Sequence, residues 1–305
     1  MNTLSRVLQS LRRSPKEILK FPEEPLGLSV AEKGGFYAAA LTSSLNSRYT
    51  LIGKLGWGIH SSVWLARDMR WAHIISRCLF HFLISSSATT RQRHAHQCYV
   101  AVKILSTHAT EVQGRLANEL DILQRINTHA EAYPGRKHIA TLLDNFTITD
   151  RHGPHLCLVF EALGAFNGSV YYPGRNLPVP FVKDIARQLL VALDFLHREC
   201  RIVHTGKIVV TSVATIEPLT PTLTPKDLKP NNILITLPNA EEALQRYTTE
   251  SEAVPESSPP IVLSRPIIPF SLDDSQNESH IQSNYEIQLT DFGTGEQWLS
   301  DTSHT

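Results

Sequence analysis

Apolar positions along the chain fall into short runs and into longer stretches with a helical period. Tyr49-Thr50-Leu51-Ile52-Gly53-Lys54-Leu55 reads as a strand, glycines follow, and Val63-Trp64-Leu65-Ala66 resumes the apolar texture. That is the pattern of a strand–turn–strand unit. Tyr99-Val100-Ala101-Val102-Lys103-Ile104-Leu105 predicts another strong strand, and His155-Leu156-Cys157-Leu158-Val159-Phe160 has the continuous apolar run of a buried one. Asn232–Ile235 and Ile287–Thr290 predict two shorter strands. Helical spacing joins Val112, Leu116, Leu120, Leu123 and Ile126 over Glu111–Ile126. It also joins Ile185, Leu189, Leu193 and Leu196 over Pro180–Glu199.

Three stretches break this texture. Trp71–Cys98 is rich in His, Ser and Arg, and Gly206–Lys226 in Thr, Pro and Val. Leu237–Tyr285 is rich in Ser, Pro and Glu, the composition of a disordered linker. Residues 1–47 read as a leader, partly disordered. Within it, Met1–Lys20 interleaves Arg6, Arg12, Arg13, Lys16 and Lys20 with Leu4, Val7, Leu8, Leu11, Ile18 and Leu19. This basic amphipathic pattern predicts a solvated leader helix, with a mitochondrial presequence as the alternative. It lacks the uninterrupted apolar centre of a secretory signal.

Composition narrows the classes. With 305 residues, 42% of them hydrophobic, the chain can bury a sizeable core, as one large domain or two lobes around a cleft. Lys plus Arg and Asp plus Glu both total 29, so no global field argues for nucleic acid or for a basic partner. Cys78, Cys98, Cys157 and Cys200 form no CxxC pair, and reduced intracellular thiols are expected rather than a disulfide framework. No apolar run approaches the length that spans a bilayer. The expectation is a cytoplasmic or nuclear protein with no direct nucleic-acid or membrane partner.

Candidate chemistry sits in five short segments. In Gly56-Trp57-Gly58-Ile59-His60-Ser61-Ser62-Val63, two glycines allow a sharp turn. Backbone N–H groups there can meet phosphate oxygens with no Cβ in the way. Taken alone, it is also an ordinary strand–glycine–strand turn. Lys103 ends the apolar run Val100-Ala101-Val102, where its ammonium needs anionic partners unless it reaches solvent. Glu119 lies beside the apolar stripe of the following helix. Its competitor Glu111 sits at the predicted helix start, where a carboxylate favours the dipole. Asp227-Leu228-Lys229-Pro230-Asn231-Asn232 precedes Ile233-Leu234-Ile235, and Asp291-Phe292-Gly293 follows a short strand.

In this order the five segments resemble the protein kinases, and within them the SR-protein kinases, which phosphorylate serines in Arg/Ser-rich segments of splicing factors. The likeness rests on Lys54-Leu55-Gly56-Trp57-Gly58 and on Ser61-Ser62-Val63-Trp64-Leu65-Ala66, with Ser61 where other kinases carry a third glycine. His155–Gly164 resembles the family's hinge strand, and Ile202-Val203-His204-Thr205 the start of its catalytic loop. Gly34-Gly35-Phe36-Tyr37 resembles its upstream Gly-Gly-Tyr element. The likeness covers about residues 33–293, apart from the divergent stretches.

The resemblance implies an α+β, bilobal protein-kinase fold. A small β-rich lobe would span 48–160 and a helical large lobe would begin at 161, with 237–285 in place of the family's inter-lobe spacer. It implies transfer of the γ-phosphoryl of ATP, with Mg2+, to Ser or Thr hydroxyls of a protein substrate. Leu55, Gly56, Trp57, Gly58, Ser61, Val63 and Ala101 would line the nucleotide. Lys103, held by Glu119, would contact the α- and β-phosphates. Phe160 would be the gatekeeper, and Glu161 to Leu163 would contact adenine. Asp227 would be the base, Lys229 would face the transferred phosphate, and Asn232 with Asp291 would hold the metal.

The sequence departs from the family in three places. Gly206–Lys226 separates His204-Thr205 from Asp227, which the family joins directly. Misplacing a catalytic group by about 1 Å can cost on the order of 100-fold in rate. Gly206-Lys207 can be encoded with a splice donor, Thr222-Leu223-Thr224 with a branch point and Lys226-Asp227 with a terminal AG, so the segment reads as a retained intron. Trp71–Cys98 separates strands that the family joins by a short turn. Its His73, Cys78, His81, His94, His96 and Cys98 match no standard zinc spacing. Beyond Gly293 the chain runs to Thr305 without an Ala-Pro-Glu. The helical lobe is therefore expected to be incomplete, and the rival reading is a catalytically inactive ATP-binding or interaction fragment.

Overall fold

A computed structural model describes residues 23–32, 34–70, 99–113, 119–129, 133–166, 177–200, 202–203, 207–208, 229–237, 240–251, 262–269 and 285–292. Six antiparallel strands form one sheet in the order β1-β2-β3-β4-β6-β5. They are β1 (Ser44–Leu45), β2 (Tyr49–Trp57), β3 (Ser61–Asp68), β4 (Tyr99–Leu105), β5 (Leu142–Asp150) and β6 (Gly153–Glu161).

Register assigns the two faces. Directly opposed residues share a face. The pairs Val63↔Lys103, Leu65↔Ala101, Lys103↔Leu158 and Ala101↔Phe160 therefore put these six side chains on one side. Trp64, Val100, Val102, Ile104, Cys157 and Val159 fall on the other, where they pack with Leu45, Tyr49 and Leu51 into a core. At the sheet's far end Arg48 bonds Asp68 at 2.9 Å and Asp144 at 2.5 Å, tying β3 to β5.

Two helices follow β4. Ser106 caps α1 (Thr107–Glu111), its hydroxyl accepting from the Ala109 N–H at 3.2 Å. α2 (Glu119–Asn127) buries Ile122, Leu123 and Ile126. The single helix predicted over Glu111–Ile126 is thus seen in its second half. Glu111 is exposed at the end of α1 and does not open the long helix. Residues 114–118 lie outside the described residues.

α3 (Val179–Phe195) runs into a π-helical turn, Leu196–Cys200. Its buried stripe is Phe181, Ile185, Gln188, Ala192 and Phe195; of the predicted Ile185, Leu189, Leu193 and Leu196, the first and last are buried and the middle two half-buried. The two phenylalanines decide the rotation. Phe181 packs on Tyr285 with centroids 4.9 Å apart, and Phe195 meets His129 edge-on at 6.1 Å. Leu189 and Leu193 only flank that core. Against it lie the short strands β7 (Gly164–Ala165), β10 (Ile233–Ile235) and β11 (Ile287–Leu289), in the order β11-β10-β7. A separate pair joins β8 (Ile202–Val203) to β9 (Lys207–Ile208). The class is α+β, as expected.

Two parts of the stretch whose composition predicts disorder are ordered. α4 (Ala240–Ser251) and the extended segment 262–269 pack on the sheet. Ala240, Ala243, Leu244, Tyr247 and Ile267 cluster with Leu65 and Ala162. Their helical spacing makes a small apolar face that averaged composition conceals. Glu23, Glu24 and Phe36 of the leader are likewise buried against the sheet. Cys157 and Cys200 are buried free thiols, which burial pushes up to about 12 and about 11. No helix among the described residues is long and apolar enough to cross a membrane. The Met1–Lys20 helix and the cysteine- and histidine-bearing stretch Trp71–Cys98 lie outside the described residues.

Candidate functional site

Lys103 occupies a central strand, opposed by Val63 on β3 and Leu158 on β6. Its Nζ donates to Glu119 Oε1 at 2.7 Å, Glu119 Oε2 at 2.8 Å and Asp291 Oδ1 at 3.0 Å. Side-chain exposure is 14% for Lys103, 4% for Glu119 and 38% for Asp291. Glu119 is buried, Lys103 is half-buried and Asp291 faces solvent. Burial alone would lower the Lys103 ammonium. The Glu119 and Asp291 carboxylates outweigh it and hold the group above the ordinary lysine range. Burial pushes the Glu119 carboxyl up against the pull of Lys103, and the Phe292 backbone N–H also donates to it. Glu119, not Glu111, is the lysine's partner.

Pairing of β10 with β11 brings Asn232 and Asp291 to the same end. Ile233↔Leu289 is the last register pair. Just beyond it the Thr290 N–H and hydroxyl both donate to the Asn232 carbonyl, at 2.9 and 3.1 Å. Asn232 closes the 3-10 turn Pro230–Asn232 and is buried. Asp291 has φ +61°, in the left-handed region. For a residue other than glycine this costs on the order of 1 kcal/mol. The twist turns the chain out of β11 and leaves the carboxylate beside Lys103. Phe292 follows and is buried in the core.

The glycine turn joins β2 to β3. Gly56 opposes Val63, Trp57 opposes Ser62, and the Gly58 N–H donates to the Ser61 carbonyl at 2.8 Å. A Cβ placed at Gly56 or Gly58 would meet nothing within 4 Å. The backbone is therefore open on that side, as a site for oxyanions requires. Leu55 and Val63 are half-buried, while Ser61 and Ala101 are buried. Phe160 lies opposite Ala101. Phe160 and Glu161 are half-buried, and Leu163 is buried.

Not every candidate converges. Asp227, His204 and Thr205 lie outside the described residues. Lys229 is exposed with extended backbone just before the 3-10 turn. The strand Ile202–Val203 pairs with Lys207–Ile208, so the Gly206–Lys226 interruption begins as the second arm of a hairpin.

One cluster is not among the candidate sites, although its lysine opens the Lys54–Gly58 segment. Lys54 on β2 is buried and donates to the carboxylates of both Glu23 and Glu24. Glu23 also accepts from the Ser264 N–H at 2.5 Å and its hydroxyl at 2.8 Å. The Lys54 carbonyl accepts from the Arg265 N–H at 2.8 Å and the Tyr247 hydroxyl at 3.0 Å. The acidic partners are signalled in the sequence by the adjacent Glu23-Glu24 pair.

The site thus combines a fixed cation in Lys103, a solvent-facing carboxylate in Asp291, a neighbouring amide residue in Asn232 and an open glycine turn. The first and last suit a polyphosphate. Asp291 and Asn232 offer the oxygen ligands of a hard divalent cation, which takes its remaining ligands from water and phosphate. No group of three or more His, Cys, Asp or Glu side chains among the described residues could hold a metal by itself. The residues present fit a cation shared with a nucleotide.

No protein-family model matches the chain. It is 35% identical over 215 residues to protein kinase dsk1 of Schizosaccharomyces pombe, covering 70% of this chain and 30% of that one. It is 30% identical over 259 residues to SRSF protein kinase 3 of Sus scrofa, covering 84% and 36%. Against the serine/threonine-protein kinase SRPK of Physarum polycephalum the identity is 30% over 218 residues, covering 70% and 40%. The chain spans 30–40% of the length of these curated relatives.

Proposed function

This chain belongs to the SR-protein kinase family of the protein kinase superfamily, and we propose that it binds Mg-ATP at the Lys103–Glu119–Asp291 centre and transfers the γ-phosphoryl to Ser or Thr hydroxyls of a protein. The observation that carries the reading is the Lys103 ammonium, held between Glu119 and the solvent-facing Asp291 at 2.7–3.0 Å.

Each residue has a stated task. Lys103 meets the α- and β-phosphate oxygens, and Glu119 keeps its ammonium from swinging away. Backbone N–H groups of the Gly56–Gly58 turn cover the phosphates. Ala101, Val63 and Leu55 offer an apolar surface to the base, with Phe160 to Leu163 along its edge. Asp291 and Asn232 hold Mg2+, which when bound neutralises charge on the phosphates. Asp227 orients the substrate hydroxyl and accepts its proton as the new P–O bond forms and the bond to the β-phosphate bridge breaks. Lys229, exposed ahead of Asn232, faces the moving phosphoryl group. Arg/Ser-rich splicing factors are the proposed substrates, after the name of the relative SRSF protein kinase 3.

Incubating the full chain with labelled ATP, Mg2+ and an Arg/Ser-rich peptide tests this. Label is expected on peptide serines and is expected to vanish with Asp291→Ala. Mg-ATP binding without transfer would refute the kinase reading and leave an ATP-binding module.

A further inference from the structure

Leader residues 23–32 and 34–37 belong to no catalytic motif, yet they touch the sheet and α1 at four points. Glu23 and Glu24 hold the Lys54 ammonium on β2. The Gly35 carbonyl accepts from the Thr107 N–H at 2.9 Å. The buried Phe36 ring meets the Trp57 ring edge-on, centroids 6.5 Å apart. Tyr37 meets His155 of β6 in the same way at 5.4 Å. Between these contacts the segment is folded on itself. The Gly34 N–H donates to the Ser29 carbonyl and the Gly35 N–H to the Leu28 carbonyl, both at 2.9 Å. A Cβ on Gly34 would lie 2.4 Å from the Leu28 Cβ, and Gly35 has φ +73°. Glycine is required at both positions, so the segment has a defined shape.

Two of the four contacts bracket the glycine turn. Lys54 and Trp57 flank Gly56 in the chain, and the β2–β3 register shifts between Lys54 and Gly56. Such an irregularity weakens the ladder locally. A Cβ at Gly56 or Gly58 meets nothing within 4 Å, so the turn is open on that side. Its position is set from behind, by β3, by the Ser106 N–H donating to the His60 carbonyl at 2.9 Å, by Phe36 and by the Lys54 anchor. Segment 262–269 reinforces that anchor through Ser264 on Glu23 and the Arg265 N–H on the Lys54 carbonyl.

We propose that residues 23–32 and 34–37 form a strap that positions the glycine turn, with Lys54 and Phe36 as its positioning residues. This rests on reading the turn as the phosphate site. The anchor's charges make the strap releasable. Two carboxylates share one ammonium in a buried place, so removing the ammonium leaves two buried like charges. Neutralising all three groups together removes that penalty.

The test is hydrogen exchange on the full chain, read at Gly56–Gly58 with the α3 amides as internal reference, beside titration with a fluorescent ATP analogue and Mg2+. Lys54→Met is expected to raise exchange in the turn, and to weaken analogue binding, by about tenfold each, because the competent position is populated less. The triple variant Lys54→Met, Glu23→Gln, Glu24→Gln is expected to recover most of both. Phe36→Ala, which leaves the ion cluster intact, is expected to raise turn exchange by about threefold. Opening of the strap amides with turn exchange at the parent level would overturn the proposal. Should Lys54→Met fail to fold, Phe36→Ala decides alone, and unchanged turn exchange overturns it. A parent chain that binds no analogue but shows the expected exchange pattern would refute the ATP site and leave the strap standing.

Discussion

Two lysines, the buried Lys54 on β2 and the half-buried Lys103 on β4, each stand between two carboxylates, and the structure gives them opposite characters. Lys54 is 2% exposed and its partners Glu23 and Glu24 are 8% and 5% exposed. Lys103 is 14% exposed, but its partner Asp291 is 38% exposed. The first cluster is closed on every side, and the second presents a carboxylate to solvent. Burial, only partly offset by Glu23, holds Lys54 below the ordinary lysine range. Lys103 is held above it. A buried ammonium among acids is thus a structural tie until one acid stands on a backbone that turns it outward. Asp291, with φ +61°, is that residue.

The comparison breaks most visibly through the glutamates. Glu119→Gln is expected to lower phosphoryl transfer on the order of 100-fold, because an untethered Lys103 loses its position. Glu23→Gln is expected to lower it tenfold or less by the route through the strap. Initial rates on an Arg/Ser-rich peptide compare the two.

Stability separates them in the other direction. Lys54→Met leaves two buried carboxylates unpaired and is expected to cost about 3 kcal/mol, read as a shifted urea midpoint. Lys103→Met is expected to cost less, since Asp291 can turn to water.

Alkaline titration sharpens the contrast. Because Lys54 is held below the ordinary value of 10.5, its unfolded form binds more protons just under that pH, and stability rises with pH there. Because Lys103 is held above 10.5, its folded form keeps the proton longer, and stability falls as pH rises past that value. Lys54→Met should remove the rise and Lys103→Met the fall, each by up to about 1.4 kcal/mol per pH unit, in urea titrations across that range.

The smallest expected effect is at Gly53, beside Lys54. A Cβ there would lie 2.6 Å from the Tyr247 hydroxyl oxygen. Gly53→Ala should loosen α4 from β2 for about 1 kcal/mol while leaving the Lys103 centre alone, as hydrogen exchange in α4 would show.

Why one lysine is legible in the sequence and the other is not has a physical answer. Lys103, Glu119 and Asp291 sit on or beside strands and a helix with strong apolar patterns, in an order tied to one chemistry. Lys54 draws partners from Glu23, Glu24 and, through Glu23, Ser264, far apart in the chain and in segments that read as leader and linker. β5 is weakly marked for a similar reason. Asp144, Asn145, Thr147, Thr149 and Asp150 dilute its strand signal, and Leu143 at its start is 54% exposed. In α3 the leucine count found only part of the buried stripe: Ile185 and Leu196 are buried, but Phe181 and Phe195 fill the core that Leu189 and Leu193 only flank. Asp227 lies outside the described residues, and its role rests on the family resemblance.

The most direct measurement places Lys103→Met and Lys54→Met side by side in the phosphoryl-transfer assay, at a temperature where both are folded. The account predicts a loss of at least about 100-fold for Lys103→Met and of about tenfold for Lys54→Met. Equal losses, or a greater loss for Lys54→Met, would contradict it.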